Sequence, residues 1–521
     1  MSSFKLYPDA TTEGEPYYVF ADLTAEFMMS DLSAIEIPDG TNPGDKKTIV
    51  YNTSTFSDTP YWQRVQNGDN SDGVSVGGYA QTITRGLHHF ESDSDYVYFT
   101  AGPGGSVLDD GTIINYIAKV AISTNIYEDV ASNSQVISGV NGGILVSIDH
   151  STEDIIVFGG SFQAFSGTGS SGLGFNPYRI AFFNVATQEF GGYNDGTHTG
   201  LNNAVNSLHF VGTDLYVGGN FTNLAEADGS NGSTATRVAI WDGTTWSGIT
   251  DATGVTGFNA VVSAITSKDD IVYFGGQFTA FVGPAGAACP YIAQYNTITN
   301  TFSLLDDGAG KTGFDGSVES LEIIGDKLYV GGKFTEFDDG NPTGSGQIVA
   351  WDITNSQWIA LGQYPLPAPY AQITGLREYD GLLYVGGGFN GLEDNQPGTV
   401  NAGQIAVYDP ETDTITNLTD ADTNYGVHYN GFISDNTKAF VGPILKLPNG
   451  TLYVGGYFNF TIKIGGGNEP VGGIAKYGLR ELPLRVSGNF WENGGALTEM
   501  TLDIIGGMKE LLWNGSYWLV K

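Results

Sequence analysis

One phrase recurs along the chain and constrains its fold more than any other feature. It is an apolar run, a glycine pair, one variable residue and usually an aromatic. It first reads in full as Ile156-Val157-Phe158-Gly159-Gly160-Ser161-Phe162 and returns as Leu215-Tyr216-Val217-Gly218-Gly219-Asn220-Phe221. Further copies are centred on Gly275-Gly276, Gly331-Gly332, Gly386-Gly387 and Gly455-Gly456, and a degenerate first copy ends at Gly102. From Gly102 through Gly160, Gly219, Gly276, Gly332, Gly387 and Gly456 the steps are 58, 59, 57, 56, 55 and 69 residues. A fixed period of this length marks a repeat architecture, in which one unit cannot bury its apolar faces alone and needs neighbours.

Each repeat has further matching parts. Downstream of the glycines lies a second run ending in an aromatic and often Asp or Asn, as in Val238-Ala239-Ile240-Trp241-Asp242 and Ile348-Val349-Ala350-Trp351-Asp352. A short turn and another apolar residue follow, as in Asp242-Gly243-Thr244-Thr245-Trp246, where Asp-Gly is a hairpin signal. Upstream lies one more stretch, such as Val318-Glu319-Ser320-Leu321-Glu322-Ile323-Ile324. Four strands per repeat make the blade of a propeller, so the expected fold is all-β, with about seven four-stranded blades. The glycine pair is expected to serve this fold, by letting backbones approach closely and by reaching positive φ. The recurring Tyr and Trp are expected to fill the wedge between blades. The 75 glycines would otherwise suggest disorder, but 28 Tyr, 29 Phe and 8 Trp argue for a packed β protein.

This layout resembles the kelch-like propellers. The fuller phrase Leu-Tyr-Val-Gly-Gly-x-Phe-Thr resembles the repeats of fungal cortical cell-polarity markers and of bacterial surface propellers. The resemblance covers residues 73–480 and implies the fold more than any activity, because propellers host many functions. Unlike the fungal markers, the chain opens on no apolar signal-peptide region and has no run of membrane-spanning length. Its Trp-Asp pairs are similar to those of WD-type propellers, but the period exceeds the roughly 40–45 residues of that repeat and the Gly-His element is missing.

The ends lack the glycine pair. Residues 1–72 read as an N-terminal β segment with strand-like Ile35-Glu36-Ile37 and Lys47-Thr48-Ile49-Val50. Residues 481–521 read as a C-terminal β segment whose close, Trp513-Asn514-Gly515-Ser516-Tyr517-Trp518, is a hairpin with an Asn-Gly turn. That tail, with the early Gly44-Asp45-Lys46-Lys47-Thr48-Ile49-Val50, resembles a split β domain of phage and giant-virus particle proteins. On that reading the two ends pack together and anchor the inserted propeller to a particle. On the alternative, the termini complete a closing blade.

Charge and chemistry narrow the function. With 57 acids against 21 bases the net charge is −36, so no nucleic-acid partner is expected, anionic membrane surfaces are disfavoured, and no direct membrane insertion is expected. Acidic pairs such as Asp109-Asp110, Asp306-Asp307 and Asp338-Asp339 lie in Gly-rich loops and leave calcium open as the one cofactor, but none completes a calcium-loop spacing. Metal ligands are otherwise unassigned. Two Gly-x-Gly-x-x-Gly strings, Gly167–Gly172 and Gly308–Gly313, open no helix of a βαβ unit and read as loops. Cys289 stands alone, so it forms no internal disulfide, and it reads as a buried structural thiol. A copper-oxidase site would need it joined to a Tyr beside two histidines, and His88, His89, His150, His198, His209 and His428 are scattered. The Asn-x-Ser/Thr sites, at Asn52, Asn220, Asn231, Asn417, Asn459 and Asn514, follow from composition. No catalytic or cofactor-binding residues are assigned.

The expectation is therefore a non-enzymatic, acidic structural or attachment protein at a virion surface or capsid, or alternatively a cell surface. Its partners would be other virion or surface proteins and a host glycan or receptor. The loops after the glycine pairs, 163–178, 222–236, 279–289, 335–346 and 390–403, are the candidate recognition surface. Two alternatives stand beside it: a glycan-active enzyme with paired carboxylates in the central channel, and an intracellular protein-interaction scaffold.

Overall fold

The computed structural model describes residues 139–150, 154–166, 175–361 (without 285 and 344–346), 372–389, 404–418 and 440–458 (without 449) nearly continuously. Elsewhere it describes mainly individual strands. The chain divides into two compact units. One comprises residues 1–61, 448–450 and 478–521; the other comprises 62–447 and 451–477.

The first unit holds a six-stranded sheet drawn from both ends of the chain. Its order is Leu6–Pro8, Tyr17–Phe20, Leu511–Trp513, Trp518–Val520, Leu484–Glu492 and Gly495–Leu502. Tyr17 lies opposite Leu512. Trp513 pairs with Trp518 across the final hairpin, whose turn residues 514–517 fall outside the described ones. Ala34–Pro38 and Lys46–Val50 form a separate antiparallel pair.

Among the described residues of the second unit, seven four-stranded sheets follow one another along the chain, with antiparallel pairing between the strands whose register is described. One serves as a pattern: a lead strand Val205–Val211, then Asp214–Gly219, Val238–Trp241 and Trp246–Gly248, each bonded to the one before. The other lead strands are Leu87–Ser92, Ile144–His150, Val262–Lys268, Val318–Ile324, Ile373–Tyr379 and Phe440–Lys446. Each lead strand packs beside the next one in chain order, and Phe440–Lys446 also packs beside Leu87–Ser92. The last sheet takes its fourth strand from upstream of all the others, Tyr61–Arg64, bonded to Ile474–Gly478.

The glycine pair carries this arrangement through two different close approaches. Opposite the pair, the lead strand slips by one residue. Val205 faces Gly219 and Ser207 faces Gly218, leaving Asn206 as a bulge. The same slip occurs at Ile144/Val146, Val262/Ala264, Val318/Ser320 and Ile373/Gly375. A Cβ on the second glycine would strike the carbonyl just before the lead strand. It would lie 2.2 Å from Ala204 O at Gly219 and 2.1 Å from the matching oxygens at Gly160, Gly276, Gly332 and Gly387. The first glycine instead receives a β-branched side chain from the next sheet. A Cβ on Gly159, Gly218, Gly275 or Gly331 would meet Val205, Val262, Val318 or Ile373 at 2.3–2.6 Å.

Positive φ, the other expected use of the pair, does not occur in these five pairs from Gly159-Gly160 to Gly386-Gly387. It falls on a non-glycine residue at the start of the third strand: Arg179 (72°), Arg237 (68°), Tyr291 (68°) and Gln404 (64°). There the backbone is clamped from both sides. The Arg237 N–H donates to Phe221 O at 3.0 Å, and the Arg237 carbonyl accepts from Gly219 N at 3.0 Å. The other three make the same two bonds, to Phe162, Phe278 and Phe389 and from Gly160, Gly276 and Gly387. Two native hydrogen bonds per site offset the roughly 1–3 kcal/mol of such a conformation.

Side chains of the second strand alternate between interfaces, as the two-residue period requires. Leu215 and Val217 join Val157 and Ile180 of the preceding sheet, whereas Tyr216 joins Val262, Val272 and Phe274 of the following one. Tyr329 likewise reaches the next sheet, its ring centroid 6.0 Å from that of Tyr408. The core is thus a series of apolar seams between successive sheets.

The Gly276→Ala variant is expected to lose about 1–3 kcal/mol of stability, the usual range for overpacking against atoms that cannot swing away. The smaller gain from stiffening the unfolded chain, about 0.4–1 kcal/mol, does not offset it. Urea unfolding of the two proteins checks this, and an unchanged midpoint would refute the close-approach account.

Candidate functional site

The lead strands of the second unit enclose a cavity of about 710 Å³. Its lining comes from six of the seven sheets and from two repeating positions. The first is the bulge residue, represented by Leu145, Asn206, Ser263, Glu319 and Thr374. The second is the residue after the glycine pair, represented by Asn220, Gln277 and Lys333. Both positions are set by the close approaches described above. The bulge turns its residue out of the ladder, and the residue after the pair leaves the strand just before the buried Phe. Gln372 and Arg377 complete the polar lining; Leu208, Ile265, Leu321 and Leu376 supply apolar surface. His88 holds the bulge position of the first sheet, between Leu87 and His89; its side chain lies outside the described residues.

Charges in the lining are matched. Lys333 Nζ lies 3.2 Å from Glu319 Oε1, which also accepts from Ser317 Oγ at 2.8 Å. Arg377 Nη1 lies 3.7 Å from Glu322 Oε2. Burial raises the Glu322 pKa, against the pull of the Arg377 guanidinium. On a neighbouring lead strand His209 Nε2 is 2.9 Å from Ser267 Oγ. Burial, and secondarily the positive charge of Arg377, lowers the His209 pKa to about 4. Glu319 is the one carboxylate among the described lining residues, which therefore include no carboxylate pair.

The expected recognition loops are more tightly built than their sequences suggest. Residues 222–236 form two strands of a three-stranded sheet with His198–Leu201. Phe281–Val282 pairs with Gly257–Phe258, and Phe337 bridges Phe314. An Asn or Asp ahead of the lead strand fastens each turn through two backbone N–H groups. Asn202 Oδ1 accepts from Thr222 and Asn223, Asn259 Oδ1 from Thr279 and Ala280, and Asp315 Oδ1 from Thr335 and Glu336. Of loops 163–178 and 390–403, residues 167–174, 390, 393–399 and 402–403 lie outside the described ones.

The acidic pairs have local partners. Asp307 Oδ1 accepts from Ala309 and Lys311, Asp338 Oδ1 from Thr312 and Gly313, and Asp339 Oδ1 from Asn341. Asp109-Asp110 lies outside the described residues, as does the glycine string 167–172. The second string is a turn, with φ of 74° at Gly308 and 102° at Gly310. The Asp that ends a third strand also braces a turn, since the N–H groups of Thr245 and Thr244 bond Asp242 and lower its pKa. Cys289 is fully buried, its thiol 3.4 Å from Ile292 O, and burial pushes its pKa up. Two of the described histidines have unrelated partners: His150 meets Phe210 edge-on, with ring centroids 4.3 Å apart, and His198 Nδ1 is 3.0 Å from Asp195. Among the described residues no three His, Cys, Asp or Glu side chains gather as a metal site would need.

The cavity residues carry no motif of their own in the sequence. Their signal is in the repeat itself: in Gly-Gly-x-Phe the glycines and the Phe hold while x runs through Ser161, Asn220, Gln277 and Lys333. A position free to vary inside a fixed phrase faces something other than the core.

No family model matches this chain, and no curated protein matches it. Among solved structures it is similar to the computationally designed Ika8 protein, at 13% identity and a TM-score of 0.37, over 79% of this chain and all of that one. It is also similar to the WD40 β-propeller domain of Doa1, at 10% identity and a TM-score of 0.39, over 78% of this chain and 96% of that one.

The low His209 pKa carries a stability signature. The native state holds His209 neutral while the unfolded chain takes up its proton near pH 6.5. Stability should therefore fall as pH drops from about 6.5 to about 4 and level off, for this group, below that. In the His209→Gln variant the fall across that window should be smaller, measured as Tm against pH; identical profiles would show that His209 titrates normally.

Proposed function

We propose that this chain is a non-enzymatic attachment protein, built on a closed seven-bladed kelch-like propeller and carried at the surface of a virion. Two observations support the ring. The lead strands neighbour one another in succession with the last beside the first, and the final sheet takes its outer strand from upstream of the first. A strand borrowed across the start and end of such a ring would close its seam. The terminal segments, which share one sheet, would fasten the propeller to other virion proteins. Their likeness to particle proteins motivates that placement, and a cell surface is the alternative.

One observation carries binding over catalysis: the polar side chains among the described lining residues are mainly amides and hydroxyls, and the one carboxylate among them is spent on Lys333 and Ser317. Acid–base hydrolysis of glycans needs two carboxyl groups facing one bond across about 5–9.5 Å. Amides and hydroxyls at several points around a cavity fix a ligand without changing it. The host glycan or receptor would therefore engage this end of the propeller, with the braced loops as a rim.

Density-gradient fractionation of native material, with the chain followed by mass spectrometry, tests the placement. Co-migration with intact particles is expected. A chain confined to the soluble fraction, with neither particles nor cell envelopes, would overturn it.

A further inference from the structure

We infer that the cavity takes the end of an uncharged oligosaccharide. This deepens the attachment reading by naming the ligand of the same site, but it is tested on the purified chain, without particles.

Size comes first. About 710 Å³ lies within the roughly 300–1,000 Å³ of small-molecule sites, and the cavity is bounded by six sheets. Strands surrounding it admit the end of a chain molecule rather than its flank. Among the described lining residues none is aromatic, so they offer no ring to stack on a planar base or ring cofactor.

Chemistry then selects among small ligands. Asn206, Asn220, Gln277 and Gln372 each offer both a donor and an acceptor, and Ser263 and Thr374 offer hydroxyls. A sugar hydroxyl also gives and takes a hydrogen bond, so a ring of such groups matches a polyol at any rotation. The Asn206 Oδ1 is buried and has no hydrogen-bond partner in the protein. A small turn of the Asn206 amide toward the cavity would let a ligand hydroxyl satisfy this acceptor. Gln277 is exposed at the lining.

Charge excludes the acidic sugars. The two cations of the lining each have a carboxylate within 4 Å, Lys333 with Glu319 and Arg377 with Glu322. An anionic ligand would have to displace one of these, in a chain whose net charge is −36. A neutral ligand meets no such opposition.

The test is a glycan array of neutral, sialylated and sulfated oligosaccharides probed with the full chain, followed by calorimetry on the best ligand. A neutral oligosaccharide should bind, and Gln277→Ala and Ser263→Ala should each weaken it by roughly five- to tenfold, the effect of one neutral hydrogen bond. Both variants should keep the wild-type thermal transition, so that weaker binding reports the site rather than the fold. A stronger response from acidic glycans, no response from any neutral one, or neutral binding indifferent to both substitutions would overturn the inference. Failure here leaves particle association untouched, and a soluble chain that binds a neutral glycan would overturn the placement alone.

Discussion

The second unit depends on one contact, the seating of a β-branched side chain from one sheet on a bare Cα of the sheet before it. Val205 sits on Gly159, Val262 on Gly218, Val318 on Gly275 and Ile373 on Gly331. The spacing between sheets is therefore fixed by the thickness of one branched side chain against no side chain at all. Everything on either side follows that spacing: the Leu and Val of the second strand turn to one seam and the Tyr to the other. The second glycine acts separately within its own sheet, opening room for the carbonyl that the bulge pushes toward it.

That division links fold to function. The bulge exists because the lead strand must pass the glycine pair, and it turns out of the ladder the residues that line the cavity. Asn206, Ser263, Glu319 and Thr374 are by-products of packing in their position and free in their identity. A scaffold of this kind can change what it binds while leaving every seam intact. The charges respect the same partition: Asp242 and Asp315 hold turns through backbone N–H groups, while Glu319 and Lys333 cancel each other at the cavity.

Much of this could be read from the chain. The four-strand repeat was legible because strands, glycines and turn residues recur at fixed offsets, and each offset has a local cause. The Trp-Asp ending, for example, is a strand closed by a carboxylate that caps its own hairpin. The glycines were rightly tied to close approach, but positive φ occurs at Gly456 alone among the six full pairs and otherwise falls on a different residue. Arg237 and Tyr291 adopt it because a Phe carbonyl and a glycine N–H grip them, and those partners lie more than a dozen residues away. The loops read as open because nothing local announces that Asn202 or Asn259 ties them down across about twenty positions. The cavity was invisible for the same reason: its residues converge only when separate repeats are placed side by side.

The outer strand of the last sheet has a consequence for how the molecule is made. Tyr61–Arg64 waits for Ile474–Gly478, and Tyr17 waits for Leu512, so each unit completes a sheet only when the far end of the chain is present. On a ribosome emitting roughly 5–20 residues each second, Tyr61–Arg64 and the outer edge of Tyr17–Phe20 wait some tens of seconds for these partners while the middle sheets assemble. An unpaired strand edge invites the wrong neighbour. Of Tyr61-Trp62-Gln63-Arg64, only the Gln and the charged Arg work against such pairing; the two aromatics favour it.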